Sequence, residues 1–422
     1  MPREAARFRI SNKPFRLSFA GLLATATVLV LSSTALATDP SPRPIGDSDL
    51  NPVSKKFEET APHPTAKTVR HWVGQTTNPV NGVTYTYSIV GADPRSGRST
   101  GVGVDVVPVD LTIAGRSFSG SDSVAAVLAS PLFREGDYST TAAATGATGA
   151  RGPGGGLSPG NDGVQLLDAI MRSEFDKVGT GYHLVLQRPQ VRAPVTLDVP
   201  AADGTTLASP VGIVYGDVDV SWFQPQIEGL TAQLRYLKPD RLVIFLTRDV
   251  VLFSDHIPTH CCVLGAHGST DTTAAPNDEG DRDGRQRVQT FVWSSWLTAG
   301  FFNPKKQWAR QDIHGLSHEI SEWANDPFGS NTVQPWFSPI APQYGCNNLL
   351  ETGDPVLGIG FSQGTNTFGQ NAFSDGTYHP EDEAFLSWFM RTSPNTTSQT
   401  GRYTFMGDLN PFAFFHKPPA AC

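Results

Sequence analysis

The sequence predicts an α+β protein with a mixed β-sheet and a strand-rich N-terminal half. Three observations lead there. Segments such as VTYTYSIVG (83–91) and GVGVDVVPVDLTIAG (101–115) alternate with period two and are rich in β-branched residues. The chain carries 41 glycines and 33 prolines among 422 residues, which favours turns and strands over long helices. The segments then follow the order strands, helix, strands, helix, buried strand, helix, with no internal repeat, an order that suits α+β better than a regular βαβ array.

Taken in order, YHLVLQRP (182–189) and APVTLDVP (193–200) continue the strand pattern. Between them and the first strands, residues 161–178 place Val164, Leu167, Ile170 and Phe175 roughly on one helical face. A second helix is expected over 224–237, stopped by Pro239. DRLVIFLTRDVVLF (240–253) is the most apolar run after the N-terminus and predicts a central buried strand with neighbours on both sides. GATGARGPGGGLSPGND (146–162) has no strand feeding it and no GKS or GKT after it, so it reads as a surface loop rather than a phosphate loop.

The N-terminus has the make-up of an export signal. Arg3, Arg7, Arg9, Lys13 and Arg16 precede a mostly apolar Leu17-to-Leu31 stretch, and Ala35-Leu36-Ala37 is a small-x-small cleavage pattern. Residues 1–37 are therefore expected to be a signal peptide, and 38–70, polar and punctuated by proline, a disordered leader. Residues 71–422 are expected to form one unit, strand-rich over 71–213 and carrying the chemistry over 214–422. The whole chain has net charge −8; without the signal, 27 basic face 39 acidic residues. That balance excludes a polybasic nucleic-acid surface, and no later stretch is long and apolar enough to span a bilayer. A secreted or periplasmic location follows, where cysteines pair. Of Cys261, Cys262, Cys346 and Cys422, the two neighbours are not expected to bond each other. One of them should reach Cys346, the other Cys422.

The chemistry concentrates in RQDIHGLSHEISEWANDP (310–327). Asp312 is expected to cap this helix and Pro327 to stop it. Ile313, Leu316, Ile320 and Trp323 form one apolar stripe; His314, His318 and Glu322 fall at i, i+4 spacing on the other side, flanked by Glu319. His318-Glu319-x-x-Glu322 has the spacing of an HExxH zinc helix with glutamate in place of the second histidine. Imidazole and carboxylate one turn apart can grip one ion, and the residue between them can act as general base on a water. Downstream, CNNLLETGDPVLG (346–358) offers Glu351 as the third ligand and Asp354 as a supporting or alternative one. Upstream, His256, His260 and His267 gather near the cysteine pair, and His267, between small residues, is the one expected to approach the metal. His314 is a further possible ligand. NDEGDRDGR (277–285) lacks the closing glutamate of a calcium loop and reads as surface.

Together LVIFLTRDVVL, CCVLGAHG, LSHEISEWANDPFG and NNLLETGDP resemble bacterial exported proteins of unassigned activity. More remotely, over about residues 215–360, they resemble the phosphate-induced/EXORDIUM family of plant extracellular proteins. The chain departs from the plant pattern in its adjacent cysteines and in Asp326 between Asn325 and Pro327. The resemblance implies an extracellular or cell-wall protein with a zincin-like active-site helix. The expected function is a secreted metal-dependent hydrolase resembling a zinc metallopeptidase. Glu319 would be catalytic, His318, Glu322 and Glu351 would hold zinc, and the substrate would be a peptide or cell-wall component. The alternative is a non-catalytic extracellular or wall-associated binding protein with a structural metal site.

Overall fold

Fifteen residues, Ser99–Ile113, form the longest strand, and the main sheet is assembled around it. The computed structural model describes residues 62–138, 162–273, 284–303, 305, 307–338, 346–393 and 403–406. The expected signal peptide, most of the leader, nearly all of the glycine-rich loop, most of the acidic loop and Cys422 lie outside the described residues.

The fold is α+β. One edge of Ser99–Ile113 takes three short parallel strands in succession, His183–Leu186, Gln190–Val191 and Val195–Asp198, and its far end pairs antiparallel with Arg116–Ser119. Its other edge pairs in parallel with Arg241–Arg248, which in turn pairs in parallel with Val288–Trp296; Gly265–Asp271 closes that side antiparallel. Arg241–Arg248 thus lies between two parallel neighbours with six of its eight residues buried, as its unbroken apolar run requires.

The expected single strand over 240–253 is two strands. Asp249 takes a positive φ of 49° and its carboxylate receives the Thr298 backbone N–H and hydroxyl, so the chain turns out of the main sheet. Val250–Phe253 then joins a second sheet between Val214–Asp219 and Cys261–Val263.

Two helices fall where apolar spacing put them, with shifted ends. The first is Leu166–Glu174. The second is Val220–Gln233, which begins earlier than predicted because Asp219 caps it, accepting from Ser221 N at 2.7 Å; Pro225 sits one turn in.

The helix of interest, His314–Asn325, packs on Val288–Trp296 and Gly265–Asp271. Its apolar stripe, Ile313, Leu316, Ile320 and Trp323, is at most 1% exposed. Burying each aliphatic member contributes about 2 kcal/mol. Trp323 Nε1 donates to Thr290 Oγ1 at 3.0 Å, which pins the helix to the sheet. The polar face is buried as well, so all twelve residues are interior. Asp312 does not cap this helix. The cap position is Ile313, and the Asp312 carboxylate is turned to His379, with Oδ1 accepting from its backbone N–H at 2.9 Å and Oδ2 bonding Nδ1 at 2.7 Å. At the other end Asp326 accepts the N–H groups of Ser330 and Asn331, both at 2.9 Å, so the Asn-Asp-Pro stop is a hydrogen-bonded reversal.

The disulfide expectation is overturned. Cys261 and Cys262 bond each other. In an ordinary strand successive side chains point to opposite faces, but the peptide between these two is cis, with the Cα atoms 3.1 Å apart. Cys346 is also disulfide-bonded. Among the described residues no helix is long and apolar enough to cross a membrane.

Candidate metal centre

The polar face of His314–Asn325 meets three chain segments: the strand carrying His267, the turn 351–358, and the loop carrying Glu381. Close approach depends on two glycines. A Cβ at Gly265 would collide with the Glu319 side chain, and one at Gly353 with the His318 imidazole. Gly353 N–H also donates to Glu322 Oε1 at 3.1 Å, tying the turn to the helix.

Glu322 is the hub. Its Oε2 lies 3.1 Å from His318 Nε2 and 3.5 Å from His267 Nδ1. His267 Nε2 is 3.8 Å from Glu351 Oε2, and His318 Nε2 is 3.8 Å from Asp354 Oδ1. Two compact donor groups result, His267–Glu322–Glu351 and His318–Glu322–Asp354, each with its ligand atoms within 4.8 Å of one another. The sequence-predicted set of His318, Glu322 and Glu351 is redistributed. Glu351 joins His267, and Asp354, three residues on, takes the place beside His318. Both imidazoles and the carboxyls of Glu319, Glu322 and Glu351 are less than 10% exposed.

Around the donors stands a supporting layer. His318 Nδ1 bonds Glu381 Oε2 at 2.9 Å, and Glu381 Oε1 accepts Gly358 N–H at 2.8 Å. Glu381 is held in place by its own N–H, which donates to Ser317 Oγ at 2.9 Å. His267 Nδ1 has Glu319 Oε2 at 3.3 Å, while Glu319 Oε1 is 3.9 Å from His318 Nε2. Glu381 behind His318 fixes that ring with Nε2 toward Glu322, whereas His267 turns Nδ1 to Glu319 and Glu322 and Nε2 to Glu351. The sequence did not single out Glu381: it lies far along the chain from the helix, in no periodic pattern. Its one signal was the acidic run Glu381-Asp382-Glu383 in an otherwise weakly charged stretch.

His314 joins neither group. Its Nε2 is 3.2 Å from Glu381 Oε2 but forms no hydrogen bond, and burial, with the nearby Arg310, His318 and His379 charges, lowers its pKa to about 4. It is a neutral core histidine. His256 and His260 pair with Asp219 and Asp255 instead, at 2.6 and 3.2 Å.

Electrostatically the centre has more acid than the chain neutralises. Five carboxyls, those of Glu319, Glu322, Glu351, Asp354 and Glu381, face two imidazoles. Burial opposes charging of His267 and His318, but Glu351, Glu319 and Glu322 together outweigh it at the first and Glu322 and Glu381 at the second, lifting both well above the usual histidine range. Burial pushes Glu322 up, yet His318 and His267 hold it below the usual range. Burial and then Glu322 raise Glu351 well above its usual value and Asp354 to about 8. Neither the Glu351 nor the Asp354 carboxyl accepts a hydrogen bond among the described residues.

Of the four tryptophans that could stack on a carbohydrate, Trp293, Trp296 and Trp336 are core residues at most 4% exposed, and Trp308 is partly exposed. No family model, curated protein or solved structure matches the chain.

Proposed function

We propose that the protein is a metal-dependent hydrolase of the zinc-peptidase kind, with its ion held on the polar face of His314–Asn325. The observation that carries the reading is the convergence of two buried imidazoles on Glu322, completed by Glu351 and Asp354, whose carboxyls face those imidazoles at 3.8 Å and accept no hydrogen bond among the described residues. Donors bonded tetrahedrally at about 2.0–2.1 Å to one ion sit roughly 3.3 Å apart, and the 3.1 and 3.8 Å spacings from His318 Nε2 to Glu322 and Asp354 are close to that. Mixed imidazole and carboxylate donors suit zinc and neighbouring divalent ions. The resemblance to exported EXORDIUM-like proteins and to zincins belongs to the same proposal.

When bound, the ion would polarise a substrate carbonyl and make a water acidic enough to attack it near neutral pH. The chain supplies the rest. Glu319 lies between the imidazoles, with Oε2 toward His267 and Oε1 toward His318, and Oε1 receives the proton of the attacking water. Glu381 keeps His318 Nδ1 protonated and Nε2 available. Gly353 N–H holds Glu322 in place. The surrounding protein excludes bulk water, which strengthens each of these charges.

The deciding experiment compares wild type with Glu319→Gln, prepared without a polyhistidine tag. Divalent-ion content is measured by elemental analysis and turnover on a mixed peptide library by mass spectrometry. The expected result is metal retained in both and cleavage lost about 100-fold or more in the variant. Full cleavage by the variant, or none by metal-loaded wild type, would defeat the hydrolase reading. A second reading, a wall-associated binding protein with a structural ion, is favoured by depth: of the donors only Asp354, with 19% side-chain exposure, has appreciable contact with solvent. In that case Glu319→Gln is silent and His318→Ala lowers thermal stability as metal leaves.

A further inference from the structure

We infer that this centre binds two divalent cations bridged by Glu322, an inference that rests on the metal-binding part of the reading above. The two donor groups have one residue in common, Glu322, and each has its own imidazole and its own second carboxylate. Since Oε1 of Glu322 is occupied by Gly353 N–H, Oε2 is the oxygen presented to both imidazoles, at 3.1 and 3.5 Å. That is the placement of a bridging ligand.

Both imidazoles are held by carboxylates, Glu381 on Nδ1 of His318 and Glu319 on Nδ1 of His267, the nitrogen that also faces Glu322. The turn after the helix is doubled. Glu351 and Asp354 are three residues apart and belong to different groups, so one turn delivers one ligand to each position. Glu351 is 7% exposed with no hydrogen bond to its carboxyl, an arrangement that is costly unless a cation meets it.

Charge counting points the same way. With neutral imidazoles, as ligation requires, five ionised carboxylates leave roughly −3 around one dication and −1 around two. Two ions about 3.5–4 Å apart sharing a carboxylate also answer the weakness of a glutamate-rich site, because the second positive charge restores the pull on a carbonyl that anionic ligands reduce.

Stoichiometry and magnetic coupling test this. Untagged protein is supplemented with Zn²⁺, desalted and analysed for metal, and Mn²⁺-loaded protein is examined by electron paramagnetic resonance. Expected are two equivalents of zinc in wild type, one in His267→Ala, one in Asp354→Asn and fewer than one in Glu322→Gln, with a coupled multiline manganese spectrum. One equivalent in wild type, or an uncoupled six-line manganese signal at two equivalents, overturns the two-ion inference and leaves the single-ion reading standing. Two equivalents retained in His267→Ala overturns it as well. No bound metal at all removes both. The wild-type stoichiometry decides even if a variant fails to fold.

Discussion

Two buried carboxylate sites in this molecule are built on opposite terms. Asp105, fully buried in the middle of Ser99–Ile113, has Arg192 Nε on Oδ1 and Arg241 Nε on Oδ2, each at 2.7 Å. Its charge is answered within the chain, and the two arginines stitch neighbouring strands to it. Glu351 and the partly exposed Asp354 stand among other acids, and the counter-charges facing them are the imidazoles of His267 and His318, each at 3.8 Å and without a hydrogen bond. A carboxylate matched by two arginines at hydrogen-bonding distance is a fixed part of the fold, whereas one held among other acids leaves charge over that a cation can answer.

Breaking Asp105 should give the largest stability effect. Asp105→Ala strands two partly buried arginines and is expected to cost about 3–5 kcal/mol in urea unfolding. The matching change at the other site, Glu351→Gln, is expected to leave the metal-stripped protein as stable as wild type or more so, while weakening zinc binding. Equal losses from both changes would erase the contrast drawn above.

Next in size is Glu381→Gln, which keeps the shape of the side chain but removes its charge from behind His318. Zinc affinity, measured by competition with a chromophoric chelator, should fall about 10–100-fold with unfolding little changed. An unchanged affinity would make Glu381 a packing residue.

Asp217 sharpens the comparison away from the centre. It is fully buried, neither oxygen has a hydrogen-bond partner, and burial together with Asp219 raises its pKa to about 8. The folded protein therefore holds this proton where the unfolded chain has released it, so stability should decline as pH rises from about 4 to about 8. Asp217→Asn should flatten that decline in urea midpoints; an unaltered pH profile would refute the assignment.

The smallest effect belongs to His379. Burial opposes its charge, but Asp312 and Asp375 prevail and raise it to about 9, above the unfolded value. Its stabilisation is fully present below about pH 6.5 and lost as pH climbs through about 9. His379→Gln should remove that alkaline loss.

Much of this was legible because periodicity survives in sequence. The β-branched alternation located Ser99–Ile113 and its short parallel partners, and the unbroken apolar run placed Arg241–Arg248 between two strands. The four-residue spacing of His318 and Glu322 put them on one face. Sequence spacing could not say which acid of the 351–354 turn meets which histidine, because that depends on how Gly353 seats the turn against the His318 ring. Nor could it show that the helix's polar face is interior, since burial of that face comes from the Glu381 loop and the His267 strand, both remote in sequence. The cysteine pairing was misread because neighbouring cysteines ordinarily avoid the small strained ring that their bond closes, and Cys261 and Cys262 bond each other nonetheless.

The long strand carries one more consequence, for how the molecule comes to be made. Ser99–Ile113 is completed on one edge by residues 183–198, but on the other its middle, residues 103–108, is completed by Arg241–Arg248, more than a hundred positions later. During synthesis that middle stretch stays bare while the ribosome adds the intervening polypeptide, and pairing so distant in sequence is slow to form. Fragments ending before residue 241 should leave a flat, valine-rich margin open to other chains and precipitate rather than accumulate as a folded N-terminal half.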